Sequence, residues 1–477
     1  MSDNCWSRYG KVKVMSDRKR LFRGLIPLIV GLFVIILVVV ALPTALQYVG
    51  KAAGVPANLV YNYEGVLGKI PEPWRNLGQG GEEPKEMLAP VATAVKALQP
   101  EYIRLDHIYD AFKVVGRANG QLTYDWSGLD GAVDVILSTG AKPFLSLSYM
   151  PDAISTGDMV SPAKDWNEWG QVVQATIEHY SGRNQKNISG IIYEVWNEPD
   201  LFGGYKTYGD KNYFDMYTAS ARAAGRVRGA NPFEIGGPAT TGLYQNWEER
   251  MIKFVDANNL RMDFLSWHRY SYDLEQYERD ARQARKWAEN IPALVNLKFY
   301  VTEWGHDSEI DPGYDGRFGA IHTLAGARAM MGAIDRAFLF EIKDGPGAEK
   351  YWGRWGILTH EKFGAPEKKP RYYALQFLNN LGPYRTSVSG EGSWVKSIAS
   401  IDDQGNLKIM VVNYDPKGAH SESVPMTFEN LPKGNFKITR TEFMGSSRTL
   451  NVATTSATWK TSEFFTPNSA AVFTVEF

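Results

Sequence analysis

The sequence predicts an α/β chain, a (β/α)8 barrel over residues 55–384, with an antiparallel β-sandwich over 385–477 after it and a transmembrane helix over 25–46 before it. Three observations predict this layout. Short apolar runs alternate with amphipathic helical patterns at roughly forty-residue spacing, as a closed parallel barrel requires. Past Pro383 the pattern changes to alternating strands broken by turn residues. Leu25–Leu46 is a stretch of 22 residues without a charge.

That stretch comes first and is long enough to span a bilayer as a helix. Arg8, Lys11, Lys13, Arg18, Lys19, Arg20 and Arg23 precede it and only Lys51 follows closely. The excess of positive charge places residues 1–24 in the cytoplasm as a basic tail. The expectation is therefore a single-pass protein of the cytoplasmic (inner) membrane, N-terminus in, with the remainder periplasmic or extracellular. A cleaved signal peptide is the alternative, though the apolar run exceeds the usual length and no small-x-small site follows it. The single cysteine, Cys5, lies on the cytoplasmic side, so the exported part has no disulfide.

Eight runs read as the barrel strands: Leu59–Asn62, Tyr102–Asp106, Pro143–Ser148, Gly190–Trp196, Phe233–Pro238, Asp263–His268, Lys298–Glu303 and Arg336–Ile342. Segments between them, such as "DWNEWGQVVQATIEHYSGR" and "DLEQYERDARQARKWAENI", repeat apolar residues at three and four. "RYYALQFLNNLG" follows the last strand and closes on Gly382, a C-cap residue. A doubly wound open sheet competes, but no glycine-rich phosphate loop follows an early strand. "WVKSIASIDDQGNLKIMVVNYD", "GNFKITRTEF" and "AAVFTVEF" then read as the short strands of the sandwich. Carbohydrate binding and simple packing against the barrel are both open to that domain.

Composition narrows the partners. With 52 Lys+Arg against 53 Asp+Glu the net charge is −1, so bulk electrostatics favour no nucleic acid. The seven histidines are scattered and no Cys/His cluster has metal-ligand spacing, so neither metal nor cofactor is expected. Fourteen Trp and 25 Tyr supply core, with a minority available as flat platforms for sugar rings.

Active sites of such barrels lie at the C-terminal strand ends, and several of these runs end on polar residues: Arg104, Asp106, Ser148, Glu198, His268, Glu303, Glu341 and Lys343. Pro199 should hold Glu198 in extended backbone and end the pairing, aiming its carboxyl at the barrel mouth. Glu303 ends the seventh run. Two carboxylates across one mouth are what acid-catalysed glycoside cleavage needs: one gives a proton to the leaving oxygen, and the other attacks the anomeric carbon or activates water. Glu194 reads as structural, paired inside the barrel.

Asn197-Glu198-Pro199, His268-Arg269-Tyr270 and Thr302-Glu303-Trp304 together resemble the clan of retaining (β/α)8 glycoside hydrolases, and within it glycoside hydrolase family 39. That family includes β-xylosidases, α-L-iduronidases and an endoglycosidase of biofilm exopolysaccharide clusters. The resemblance spans residues 55–385 and implies Glu198 as acid/base, Glu303 as nucleophile and Asn197 as partner of the sugar 2-hydroxyl. Glu198 should then sit in a less polar place, beside Trp196, and Glu303 should be held ionised. Arg104 is the candidate cation for Glu303 and Tyr270 the candidate phenol. His268 is either a substrate ligand or a core histidine. Trp304, Trp352 and Trp355 are candidates for sugar stacking or for rim packing. The resemblance implies a polysaccharide substrate, endo action on an exopolysaccharide and an association with exopolysaccharide biosynthesis machinery. An exo-acting β-xylosidase and a non-catalytic polysaccharide-binding scaffold are the alternatives.

Overall fold

The computed structural model describes residues 54–81, 83 and 86–477. Strands β1 (Leu59–Lys69), β2 (Asn76–Gln79) and β3 (Tyr102–Leu105) come first, then a hairpin of β4 (Val115–Ala118) and β5 (Gln121–Tyr124). They are followed by β6 (Lys142–Leu147), β7 (Ile191–Val195), β8 (Phe233–Thr240), β9 (Phe264–Tyr270), β10 (Lys298–Gly305) and β11 (Arg336–Phe340). Eight of these close a barrel in the order β10-β11-β2-β3-β6-β7-β8-β9, every neighbour parallel. Seven are the runs expected from the sequence. The first is not.

Leu59–Asn62 is not a barrel strand. It opens β1, which pairs with β12 (Tyr384–Ser389) and, in parallel, with β15 (Glu422–Glu429) of the C-terminal sheet. The barrel begins instead at "NLGQ", Asn76–Gln79, a strand without a β-branched or aromatic residue. Neighbours on both sides supply its hydrogen bonds, so it needs little intrinsic preference of its own. Gly78 suits the place, since a side chain there would press on the Phe340 ring.

Alternation by two along each strand sets the interior in layers. Tyr102, Phe144, Ile192, Phe264, Tyr300 and Phe338 form a buried plug near the N-terminal ends. Phe264 stacks on Tyr300 and Phe144 meets Phe338 edge-on. Two residues further along, the same strands present Arg104, Ser146, Glu194, Ser266 and Thr302, all buried. A dry aromatic floor thus lies beneath a polar layer, and the site stands on that layer.

Outside the barrel, helices Trp166–Ser181 and Glu275–Ala288 form where the apolar periodicity predicts them. Asp165 caps the former through the Asn167 N–H at 2.8 Å. The C-terminal part contributes β13 (Val395–Ile401), β14 (Leu407–Asn413), β16 (Gly434–Glu442), β17 (Ser447–Thr454), β18 (Trp459–Phe465) and β19 (Ser469–Glu476). With β1, β12 and β15 they make a nine-stranded sheet, β17-β16-β19-β14-β13-β12-β1-β15-β18. Its two ends meet where Arg440 and Arg448 pair with Glu463. The sheet therefore folds over a core that includes Leu59, Tyr61, Phe428 and Phe473. It contacts the barrel through Arg328, which binds Glu391 with two nitrogens, and through Tyr414, whose hydroxyl donates to the Tyr272 carbonyl at 2.9 Å. The anchor predicted over 25–46 lies outside the described residues, among which no helix is long and apolar enough to cross a membrane.

Candidate active site

Glu303 reaches the barrel mouth through an irregularity in β10. The register against β9 shifts between Val301 and Glu303, after which Glu303 sits beside His268 and Gly305 beside Tyr270. A bulge of this kind re-aims a side chain, and here it turns the carboxyl inward. Gly305 is bare for a reason: a side chain would strike the Tyr314 hydroxyl and the Tyr270 ring.

Arg104 organises the floor of the site and is fully buried. Its Nε donates to Glu194 Oε2 at 2.8 Å, one terminal nitrogen to Glu303 Oε1 at 2.9 Å and the other to Asn197 Oδ1 at 2.6 Å. Glu194 is thus the internal partner that the sequence suggested. Burial works against the guanidinium charge, but Glu194, Glu303 and Asp106 raise its pKa well above the ordinary arginine range. Asn197 passes the network on, donating from Nδ2 to the Tyr149 hydroxyl at 2.8 Å.

Tyr270 donates to Glu303 Oε2 at 2.9 Å, so both oxygens of Glu303 receive a hydrogen bond. Even so, burial raises this carboxyl to about 7, against the pull of His268 and Arg104 and with the push of Glu198. The expected cation and phenol are in place; desolvation outweighs them. His268 is also buried. Its Nδ1 lies 2.8 Å from Glu198 Oε1 and 3.5 Å from Glu303 Oε2. Burial disfavours a charged imidazole, yet Glu303 and Glu198 outweigh that and raise its pKa.

Glu198 arrives by a sharp turn, and the extended backbone expected ahead of Pro199 is not what forms. Its φ is 46°, and that of Trp196 is 74°. A left-handed residue other than glycine costs about 1–3 kcal/mol and persists where the surroundings over-determine it. Here Ser146 Oγ donates to the Trp196 carbonyl at 2.8 Å and the Glu198 N–H donates to the Ala239 carbonyl at 2.9 Å. The Trp196 ring is fully buried beside Tyr149 and Trp169.

Trp304 takes no part at the mouth. It is 0 % exposed, packed against Gly326, Tyr277 and His322 on the outside of the barrel, and cannot stack on a sugar. The bulge explains the correction: regular pairing resumes from Glu303, so Trp304, the residue after an inward-facing Glu303, faces outward. Trp352 lines a cavity of about 270 Å³ at the ends of β2 and β11 with Gln79, Glu83, Glu341 and Arg354. The Arg354 guanidinium lies 3.8 Å over the Trp355 ring and occupies that face. Gln79, Glu341 and Arg354 were not among the sequence's candidates for the site. Glu341 was visible as a polar strand end, whereas Gln79 lay in the strand that the sequence did not reveal. Lys343 points elsewhere, buried between Glu361 and Glu83.

Two groups of metal-ligand atoms exist among the described residues, Glu198/His268/Glu303 and Glu83/His360/Glu361. In the first, Arg104 and Tyr270 already donate to Glu303; in the second, the Lys343 ammonium sits among the carboxylates. Neither is a set of donors awaiting a cation.

The profile of the glycosyl hydrolases family 39 matches residues 64–422. The chain belongs to glycosyl hydrolases family 39. Two of its relatives are described as beta-xylosidases. It is 29% identical over 324 residues to that of Caldicellulosiruptor saccharolyticus, covering 61% of this chain and 64% of the relative. It is 26% identical over 352 residues to that of Geobacillus stearothermophilus, covering 62% of this chain and 68% of the relative. The chain thus spans about two thirds of the length of these relatives. The fold is similar to a monomeric beta-xylosidase from Caulobacter crescentus CB15, with a TM-score of 0.72 at 20% identity over 88% of this chain and 99% of that one.

Proposed function

We propose that this family 39 chain hydrolyses β-glycosidic bonds with retention of anomeric configuration, Glu303 acting as nucleophile and Glu198 as acid/base. One observation carries the reading: ligand atoms of Glu198, His268 and Glu303 all lie within 4.8 Å of one another. Double displacement sets the two carboxyls about 5–5.5 Å apart, whereas inversion leaves roughly 6.5–9.5 Å for a water.

In the first step Glu303 attacks the anomeric carbon while Glu198 protonates the departing oxygen, leaving a covalent glycosyl ester. In the second, Glu198 takes a proton from water, whose oxygen displaces Glu303 and returns it as a carboxylate. Arg104 and Tyr270 hold the Glu303 oxygens for attack. Asn197 has a second amide hydrogen to give to the sugar 2-hydroxyl, as only one goes to Tyr149. Glu198→Gln is expected to lower kcat by about 10²–10⁴ on unactivated substrates, and Glu303→Gln, which removes the nucleophile, to lower it at least as far. Near-wild-type turnover in either variant would remove its residue from the mechanism. Proton NMR of the first-formed sugar should show the retained anomer, and the opposite anomer would sink double displacement.

The beta-xylosidase relatives support exo action on terminal β-xylosyl residues, with Trp352, Gln79 and Glu341 as sugar partners. Endo action on an exopolysaccharide outside the cytoplasmic membrane is the second reading, and the charge-free stretch Leu25–Leu46 supports the location. Product sizing from xylan oligomers and bacterial exopolysaccharides separates them: single sugars favour the first, mixed oligomers the second. Membrane fractionation of the full chain tests the anchor.

A further inference from the structure

The turn that delivers Glu198 is fastened to the loop after β8 at more than one point. Leu201 and Phe202 donate their N–H groups back to the Glu198 carbonyl at 3.0 and 2.7 Å, so residues 198–202 form one closed turn. Within it, half-buried Asp200 reaches across to Thr241. Its Oδ1 accepts the Thr241 N–H at 3.1 Å and its Oδ2 accepts the Thr241 hydroxyl at 2.5 Å. Two residues earlier, still in β8, lies Ala239, whose carbonyl accepts the Glu198 N–H and whose own φ is 56°. Two left-handed segments therefore hold each other, and the only side chain that joins them beyond that backbone bond, among the hydrogen bonds of this turn, is Asp200.

We propose that Asp200 is a positioning residue for proton donation: clamped to Thr241, it fixes the Glu198 backbone and so the direction of its carboxyl toward the leaving oxygen. The inference rests on the hydrolase reading above. Asp200 has no role in holding Glu303, whose partners are Arg104 and Tyr270 on the other side of the site. A loss of Asp200 should thus be felt where the leaving group needs a proton and little where it does not. A merely stabilising turn residue would show no such preference.

The test compares hydrolysis of phenyl and dinitrophenyl glycosides by the full chain, using the glycone that wild type turns over fastest in a panel led by β-xylosides. Dinitrophenolate departs unaided, whereas phenolate relies on the acid. Since general acid catalysis contributes about 10²–10⁴-fold, Asp200→Ala should lose about 30-fold or more in kcat/KM on the phenyl glycoside and less than about 3-fold on the dinitrophenyl one. Asp200→Asn can still accept the Thr241 N–H and donate to its hydroxyl, and should restore both rates. Thr241→Val removes one bond of the clamp and should show the same selectivity more weakly, which keeps the question answerable if Asp200→Ala does not fold. Equal losses on both substrates, or no loss on the phenyl glycoside, overturn the inference while leaving the hydrolase reading intact. A wild-type chain inert toward the whole panel overturns both.

Discussion

At the scale of single residues, the site depends on how the two Glu303 oxygens are held. Tyr270 supplies one hydrogen bond and Arg104 the other, while burial pushes the carboxyl up to about 7. A nucleophile must be ionised, so kcat/KM should fall as pH drops through about 7 on the acid side. Tyr270→Phe removes a hydrogen bond to the charged form, which raises the carboxyl further. The acid limb should shift to higher pH, and kcat/KM at its plateau should fall about 10- to 100-fold, the equivalent of about 1.5–3 kcal/mol for a bond to a charged group. A pH–rate profile checks both parts; an unmoved limb would mean that the phenol does not stabilise the carboxylate. Arg104 was legible as a cation near a strand end. Its simultaneous grip on Glu194, Asn197 and Glu303 was not, because three strands and a turn must meet before those distances exist.

Among the elements, the helix that follows the loop after β8 carries its own titratable group. Glu248 opens the helix Glu248–Ala257, is fully buried, and accepts the Tyr244 N–H at 2.6 Å through Oε2. Its Oε1 contacts the Thr240 hydroxyl, which itself donates to the Gly242 carbonyl at 2.9 Å. One hydroxyl hydrogen cannot serve both oxygens, so the geometry calls for a proton on Glu248. Burial, with Asp200 adding to it, raises this carboxyl from an ordinary 4.5 to about 8 despite the hydrogen bonds of Thr240 and Tyr244. Between those values the folded chain holds a proton that the unfolded chain has released, so stability falls as pH rises across the window. Glu248→Gln keeps an acceptor for Tyr244 and a donor for Thr240. It should leave the melting temperature near wild type at pH 5 and raise it by several degrees at pH 8. Equal shifts at both pH values would show that Glu248 does not titrate there. Sequence offered no hint of this group, since it reads as one more acid at a helix start.

For the molecule as a whole, β1 ties the segment before the barrel into the C-terminal sheet. It comes before the barrel in sequence but lies between β12 and β15, inside the C-terminal sheet. Leu59 and Tyr61 are fully buried there, with Tyr61 against Phe428 at 5.2 Å between ring centres. A fragment of residues 380–477 should therefore fail to fold, with two internal edges unpaired, and fusion of residues 57–70 to it should restore a cooperative transition by circular dichroism. In the full chain Tyr61→Ala should cost about 3–5 kcal/mol, as for removal of a large buried ring, measured by urea unfolding. A fragment that folds alone would show β1 to be dispensable.

Periodicity and end residues are local properties, and the sequence by itself determined what they report: seven of the eight barrel strands, the helices between them, and the places of Glu198, Glu303, His268, Tyr270 and Arg104 at the mouth. Closure is not local. Whether Leu59–Asn62 or Asn76–Gln79 completes the barrel depends on which segment meets β11 and β3 in space, and the more strand-like of the two is captured by the other sheet. Likewise, only the tertiary structure decided that Trp304 faces away from the mouth, that Glu198 stands on left-handed backbone rather than extended chain, and that Asp200 meets Thr241, 41 positions away. Each of these follows from packing between elements distant in the chain, which hydrophobic pattern constrains in face but not in partner.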